Sequence, residues 1–507
     1  MAIFRSAFTI SIFTAISRVL GFIRDVLIAK FIGVSLLSDV FFAAFRLPNF
    51  FRRIFAEGAF NSAFVPIFVK NIKNDDNKID AVNFARNIFS FLLYILIICI
   101  ILMQIFMPIF LLALFPGFKF GSEKFLLLVD LSRITIIYLL FISIVSLFSG
   151  ILNSINKFAA AAATPIILNL TLISSLYLLA DYSKNLAFAL SFGIFIAGIL
   201  QFSWMFYFLI KNKIFIYPAL PKITPDAKKF LKKLIPGIVG ANVMQINLLI
   251  DTIIASLISG AISYLYYADR VNQLPLAMIG IAIGVALLPT LSKKIKNKDY
   301  EAAIKLQNKA LIVALFLAIP AMFALNFLSY EIIQSLFERG KFNNEATIMI
   351  SKALALYAIG LPAYILVKIF EPSFFARGNT KIPMKIAIIC LICNVILNLI
   401  FFIPFGYLGI VLASVLSSYL NLFLIISNLL KNKYFRLAKG FFIDLFKIVF
   451  SSFIMVLILN LMKIQILAKY QLNNIIELII LITSGFISYI LISFVIKSTY
   501  RDLCKAS

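Results

Sequence analysis

Histidine is absent from the 507 residues, so imidazole metal ligands and the commonest general base are unavailable to this chain. Acid is scarce as well, with 21 Asp and Glu against 47 Lys and Arg. The only paired aspartates, Asp75 and Asp76, lie in a hydrophilic loop. A membrane-embedded enzyme working on lipid phosphates would therefore have neither base nor metal cluster. Charged residues make up only 13% of the chain, about half of what a soluble protein carries. Of the four cysteines, Cys390 and Cys393 form a C-x-x-C inside an apolar run with no second pair, which reads as small residues packing in a helix. Alternation of strand length is missing, which excludes a β-barrel. The first apolar run continues through Arg18 and Arg24 without a small-residue cleavage site, so no cleavable signal peptide is expected.

What is present is apolar sequence, 63% of the chain. Runs of about 20 residues, enough to cross a hydrocarbon core, recur from end to end. Hydropathy gives about fourteen spans, at 8–32, 36–64, 88–113, 131–152, 159–180, 187–210, 234–258, 264–290, 310–328, 349–371, 384–403, 407–430, 446–463 and 475–496. The expected fold is an all-α polytopic membrane protein. A net charge of +26 would suggest nucleic acid in a soluble chain. Here Lys and Arg concentrate in alternate loops, such as "KNIKNDDNKID", "SKKIKNKDYEAAIKLQNK", "ARGNTKIPMK" and "KNKYFRLAK". That asymmetry puts both termini in the cytoplasm.

The longest basic segment, 211–233, holds seven lysines and three prolines and divides the chain. Residues 1–210 form a first block of six spans, 234–430 a second, and 431–507 an appended pair of helices with a tail. The openings of the two blocks resemble each other. Asp25 and Asp251 align, Pro48 and Pro275 follow 23 and 24 residues later, Arg46 and Arg270 precede them, and Pro66 and Pro289 close the second span of each block. An offset of six spans keeps both copies in one orientation, a parallel repeat. Paired bundles with proline-interrupted helices mark a transporter. "GIAIG" (Gly280, Gly284) suits close helix packing rather than nucleotide binding.

Charges sit inside these spans. Arg18 and Arg24 flank Gly21 in the first; Asp39, Arg46, Arg52, Arg53 and Glu57 surround the Pro48–Asn49 break in the second; Asp269 and Arg270 open the eighth. Each arginine at a helix centre costs about 2.5–3.5 kcal/mol on the mildest scale, and Asp25, Asp39, Glu57 and Asp269 offset part of it. Arg46, Arg53 and Glu57 read best as an ion-paired stripe. Arg18, Arg24, Arg52 and Arg270 come from both repeats and suit a hydrated cleft that binds a phosphate or pyrophosphate through paired N–H donors. A second group joins Asp251 on the seventh span, Asn394 and Asn398 one turn apart on the eleventh, and Ser414 on the twelfth. These hard oxygen ligands suit a small cation such as Na⁺, or equally hydrogen bonds between helices.

"SRVLGFIRD", "SDVFFAAFRLPN", "RRIFAEGAFNSAFVP", "YYADR", "LFERGKF" and "ARGNTKIPMKIA" resemble the signature segments of the MurJ (MviN) lipid II flippases of the MOP exporter superfamily. The resemblance implies fourteen helices in two six-helix lobes plus two C-terminal helices, in a bacterial cytoplasmic membrane. It implies export of undecaprenyl-pyrophosphate-linked peptidoglycan precursor by alternating access, with membrane lipids and cell-wall synthesis machinery as partners. A related exporter of another polyprenyl-linked oligosaccharide or of a drug is the alternative, and the arginine excess counts against a drug. By resemblance, the cationic cavity falls to Arg18, Arg24, Arg52 and Arg270, with Asp25 and Asp39 nearby; Asn49, Arg53, Glu57 and Asp269 are expected from their positions to support it. A Na⁺ site falls to Asp251, Asn394, Asn398 and Ser414. One departure is Gln273, where some relatives carry Glu.

Overall fold

The computed structural model describes residues 2–56, 59–74, 79–241, 243–465 and 472–496, and side chains over these except at 2–8, 53–56, 59, 61–62, 73–74, 235–241 and 243–244. Every regular element among the described residues is a helix, and eleven of these helices are long and apolar enough to cross a membrane. The chain is an all-α polytopic membrane protein. It divides into two compact units, Met1–Ser263 with Arg339–Phe342, and Tyr264–Glu338 with Asn343–Ser507.

In the first unit, the helices are α1 (Ala2–Ile32), α2 (Leu36–Ala56), α3 (Ala59–Asn74), α4 (Ile79–Leu114), α5 (Glu123–Ile136), α6 (Tyr138–Ser154), α7 (Phe158–Leu178), α8 (Leu186–Lys211), α9 (Pro225–Ala241) and α10 (Val243–Ala255). α1 lies along α7, α7 and α6 against α8, α2 against α5 and α6, and α3 against α9. The expected span 36–64 is helical over its described residues, in α2 and the start of α3. The expected linker 211–233 ends nine residues early, because Thr224-Pro225-Asp226 starts α9. The Thr224 hydroxyl accepts the Ala227 N–H at 3.2 Å, and Pro225 sits where no intrahelical N–H is needed. Ala227 and Phe230 are buried, and the Phe230 ring stands edge-on to Phe60 at 5.3 Å and to Phe64 at 6.4 Å.

The second unit contains most of α11 (Ala261–Pro275), then α12 (Ala282–Lys296), α13 (Tyr300–Phe327), α14 (Ser329–Phe337), α15 (Asn344–Phe375), α16 (Lys381–Phe405), α17 (Tyr407–Lys431), α18 (Phe441–Gln465) and α19 (Asn474–Val495). α15 packs on α13 and α17, α16 pairs with α17, and α18 and α19 pair with each other and dock on α13 and α14. Gly406, at φ +56°, makes the tight α16–α17 turn.

Prolines inside the helices interrupt the backbone ladder without ending the helix, and each leaves a carbonyl four residues back without its helical donor. In lipid such a group needs another partner. Pro48 frees Ala44, whose carbonyl accepts the Thr135 hydroxyl at 3.1 Å. Pro165 frees Ala161, taken by the Thr164 hydroxyl at 2.9 Å. Pro320 frees Phe316, taken by the Tyr489 hydroxyl of α19 at 2.8 Å. Pro372 frees Lys368, and the Gly284 backbone of α12 approaches that carbonyl so closely that a Cβ there would lie 2.6 Å from the oxygen. Gly280, the other glycine of "GIAIG", lies against Ile365 of α15, where a Cβ would be 3.2 Å from its Cα. After Pro275 the ladder widens into one π-helical turn, Leu276–Ile281, before α12 resumes.

Candidate functional site

α1 places Arg24 among partners from its own helix and from α7. Arg24 is 7% exposed and Asp25 fully buried. Nε and Nη2 donate to one Asp25 carboxylate oxygen at 3.0 and 2.7 Å, and Nη1 donates to the Asn169 side-chain oxygen of α7 at 3.0 Å. Asn169 in turn donates its Nδ2 to the Ser17 carbonyl at 2.9 Å, so α7 fixes both the guanidinium and the α1 backbone nearly two turns upstream. A buried Arg–Asp pair gains Coulomb energy that roughly offsets its desolvation, and only with good geometry. The added amide supplies that geometry. Arg18, six residues earlier and hence on another face of the helix, is exposed.

On α2, Arg52 is half-buried and donates Nε to the Asn49 amide oxygen at 2.9 Å, the i, i+3 contact that helical spacing allows. Arg46 donates Nη2 to the Leu248 carbonyl of α10 at 2.8 Å. Arg53 and Glu57 lie outside the described side chains. Asp39 turns elsewhere. Its buried carboxylate accepts the N–H groups of Gly260 and Ser263 at 2.7 and 3.1 Å, the Ser263 hydroxyl at 2.7 Å and Lys124 Nζ at 3.3 Å. It thus caps the N-terminus of α11 from a distant part of the sequence, where a carboxylate meets both unpaired N–H groups and the positive end of the helix dipole.

In the second unit, Asp269 and Arg270 are half-buried on α11. Gln273 donates its amide to the Asp269 carboxylate, so the neutral residue serves that acid as a donor one turn on. Asn394 and Asn398 are fully buried on α16. Asn398 Nδ2 donates to Asn394 Oδ1 at 2.7 Å, and Asn394 Nδ2 reaches the Ser414 hydroxyl of α17 at 3.4 Å. Two of the three side-chain oxygens there accept an amide N–H, the bonding between and along helices that the sequence allowed equally with a cation site. In the first unit, Asp251 is buried and takes the Asn247 amide at 3.4 Å. No group of three His, Cys, Asp or Glu is gathered among the described residues.

Sequence reasoning missed Asn169, Lys124 and Ser263. Asn169 was visible only as a lone amide in the apolar run "PIILNLTL", a weak signal because such residues commonly bond between helices.

The family described as "Lipid II flippase MurJ" matches residues 28–481. The chain belongs to that family. A "Probable lipid II flippase MurJ" of Rickettsia prowazekii (strain Madrid E) is 40% identical over 463 residues, covering 91% of each chain. A "Lipid II flippase MurJ" of Burkholderia cenocepacia is 35% identical over 455 residues, 88% of each. Among solved structures, "Lipid II flippase MurJ, inward closed conformation" superposes with a TM-score of 0.83 at 32% identity, covering 98% of this chain and 99% of the other. An inward-facing multidrug resistance MATE transporter of the MOP superfamily gives 0.67 at 14% identity, over 82% and 94% of the two chains, a likeness of fold alone. Within the MurJ family, the span matched includes Asp39, Arg52, Asp251 and Arg270, while Arg18, Arg24 and Asp25 precede it.

Proposed function

We propose that the chain is a lipid II flippase, carrying undecaprenyl-pyrophosphate-linked peptidoglycan precursor from the inner to the outer leaflet of a bacterial inner membrane by alternating access. On this reading the fold completes fourteen spans as two six-helix lobes, 1–210 and 234–430, with 431–507 appended and both termini cytoplasmic. Arg18, Arg24, Arg52 and Arg270 bind the diphosphate, with Asp25, Asn49 and Asp269 tuning their charge and position, while Asp39 is committed to the start of α11. The observation that carries the reading is Arg24: a guanidinium kept inside an apolar span by a carboxylate and an amide, costly to retain unless its charge is used. Moving two negative charges out of a negative interior is downhill by about 4.6 kcal/mol at 100 mV, and return of the emptied cationic site is downhill too. By the same reading Asp251, Asn394, Asn398 and Ser414 hold Na⁺, whose binding would favour one state over the other by differential affinity.

The test is depletion of the protein in its host, with assay of the precursor retained on the inner leaflet. Lipid II should accumulate, and wild-type chain should relieve it while Arg24→Glu and Arg270→Glu, inserted at normal levels, should not. Accumulation of a different polyprenyl-linked sugar would support the alternative exporter. Full activity of either variant would remove the anion site.

A further inference from the structure

Residues 212–224, between α8 and α9, have no regular structure beyond a turn at α8's end, yet α4 holds them at three points. Asn87 donates Nδ2 to the Lys222 carbonyl at 2.6 Å and accepts the Lys222 N–H at 2.7 Å. Ser90 Oγ accepts the Ala219 N–H at 2.9 Å, and the Arg86 guanidinium lies 3.7 Å over the Tyr217 ring. The segment is therefore two-faced. Ile214 and Ile216 are buried against the protein, while Phe215, Tyr217, Leu220 and Ile223 are 58, 53, 81 and 71% exposed. The second unit repeats the device. Asn308 on α13 donates Nδ2 to the Arg436 carbonyl at 2.9 Å and accepts the Ala438 N–H at 3.0 Å, while the arginine over the ring comes from elsewhere, Arg377 in the turn after α15, 4.1 Å over Tyr434. α4 and α13 are the third and ninth expected spans, and each clamped segment follows the last span of its block, so the clamps obey the six-span repeat.

Depth explains the exposed face. From Ile88 to Leu114, α4 has no charged residue, so Arg86, Asn87 and Ser90 mark where the helix enters hydrocarbon. A segment pinned at that level presents its apolar side chains at the boundary between headgroups and acyl chains, where Tyr and other amphipathic rings settle. The charge at that level is one-signed. Residues 211–233 contain seven lysines and one acid, Asp226, which takes the Asn71 amide at 3.0 Å. Lys228, Lys229, Lys232 and Lys233 are exposed on the first turns of α9.

We propose that residues 212–233 form a preformed binding surface for anionic phospholipid, with the exposed apolar side chains seated among the upper acyl chains and the lysines on the headgroup phosphates, and that 432–440 is its counterpart in the second unit. Polybasic juxtamembrane segments attract anionic lipid in this way, and apolar anchors make the attraction position-specific. The surface is independent of the transport reading, since it is measured without substrate.

The chain's single tryptophan, Trp204, allows a direct test. Full-length Trp204→Phe/Phe215→Trp protein is reconstituted into phosphatidylcholine bilayers containing brominated phosphatidylglycerol or brominated phosphatidylcholine. Fluorescence from position 215 should be quenched by the anionic lipid at about fivefold lower mole fraction, and the preference should shrink as salt rises. Adding K228Q, K229Q, K232Q and K233Q, all at exposed positions, should abolish the preference but leave quenching by both lipids. Asn87→Leu should weaken quenching by both, because the face is no longer held. Absence of quenching by either lipid, as for a face in water or covered by a protein, would overturn the proposal. So would equal quenching by the two lipids with the lysines intact, or quenching untouched by Asn87→Leu.

Discussion

Asn169→Leu isolates the hold on Arg24. Leucine has nearly the shape of asparagine, so the α1–α7 contact should persist while both hydrogen bonds vanish. The Ser17 carbonyl keeps its helical donor and loses little. Arg24 loses the acceptor at 3.0 Å from Nη1 and is left with a buried N–H of a charged group without that partner, a cost of about 2 kcal/mol. That corresponds to roughly a 30-fold shift in how much of the population keeps the guanidinium in place. Asp25 still holds one edge, so the protein should insert and fold, with a lower midpoint in thermal unfolding in detergent. If Arg24 binds the diphosphate, complementation of a depleted strain should fall ten- to thirtyfold in precursor export. Asn169→Asp tests the charge term separately: a second carboxylate tightens the grip on Arg24 and repels the anion, so stability should hold or rise while export is lost. Wild-type export by both variants would show that Arg24 is a structural ion pair and nothing more.

Three further pairs of substitutions test the packing within the two units, each read as a thermal midpoint of purified protein. Tyr489→Phe should cost about 1–2 kcal/mol by stranding the Phe316 carbonyl, and adding Pro320→Ala should recover most of it by restoring the helical donor; no recovery would refute the account of the proline break. Asp39→Asn should cost about 2–3 kcal/mol, since it removes a helix-capping charge from α11; Lys124→Gln, whose ammonium is partly solvated, should cost well under half as much, and equal losses would mean that the ion pair dominates. Gly284→Ala should cost about 1–3 kcal/mol by driving a methyl into the Lys368 carbonyl, with Gly280→Ala milder because its nearest neighbour would lie at 3.2 Å.

Where apolar runs alone set a helix, its ends could be read from sequence: 407–430 is observed as Tyr407–Lys431 and 187–210 as Leu186–Lys211. Where polar caps extend a helix beyond the hydrocarbon, they could not. α13 begins at Tyr300 rather than 310 because Asp299 caps it, accepting the Ala302 N–H at 3.2 Å. The site divides the same way. Arg52 with Asn49, and Asn394 with Asn398, are one-turn neighbours that spacing reveals. Arg24 with Asp25 is not such a pair, since adjacent residues point about 100° apart and only a long guanidinium can fold back across that angle. The cap that Asp39 gives α11 joins residues more than 220 apart in sequence, and no local pattern encodes it.

The proline breaks show why a chain so interrupted can still hold its functional arginine in place. A proline in a membrane helix introduces flexibility only if the carbonyl it frees stays unsatisfied or finds water. At Pro48, Pro165 and Pro320 the freed carbonyl instead takes a hydroxyl, twice from another helix and once from the same one, always within the same compact unit. Each interruption is thereby closed inside the packed unit. α7 illustrates the consequence: the carbonyl freed by Pro165 is closed by Thr164 one turn before Asn169, in the stretch of helix that carries the amide to Arg24. Restoring the helical donor with Pro165→Ala should therefore disturb Arg24 without touching any of its partners, whereas a freely hinging proline would predict a change in dynamics and none in the Arg24–Asn169 bond.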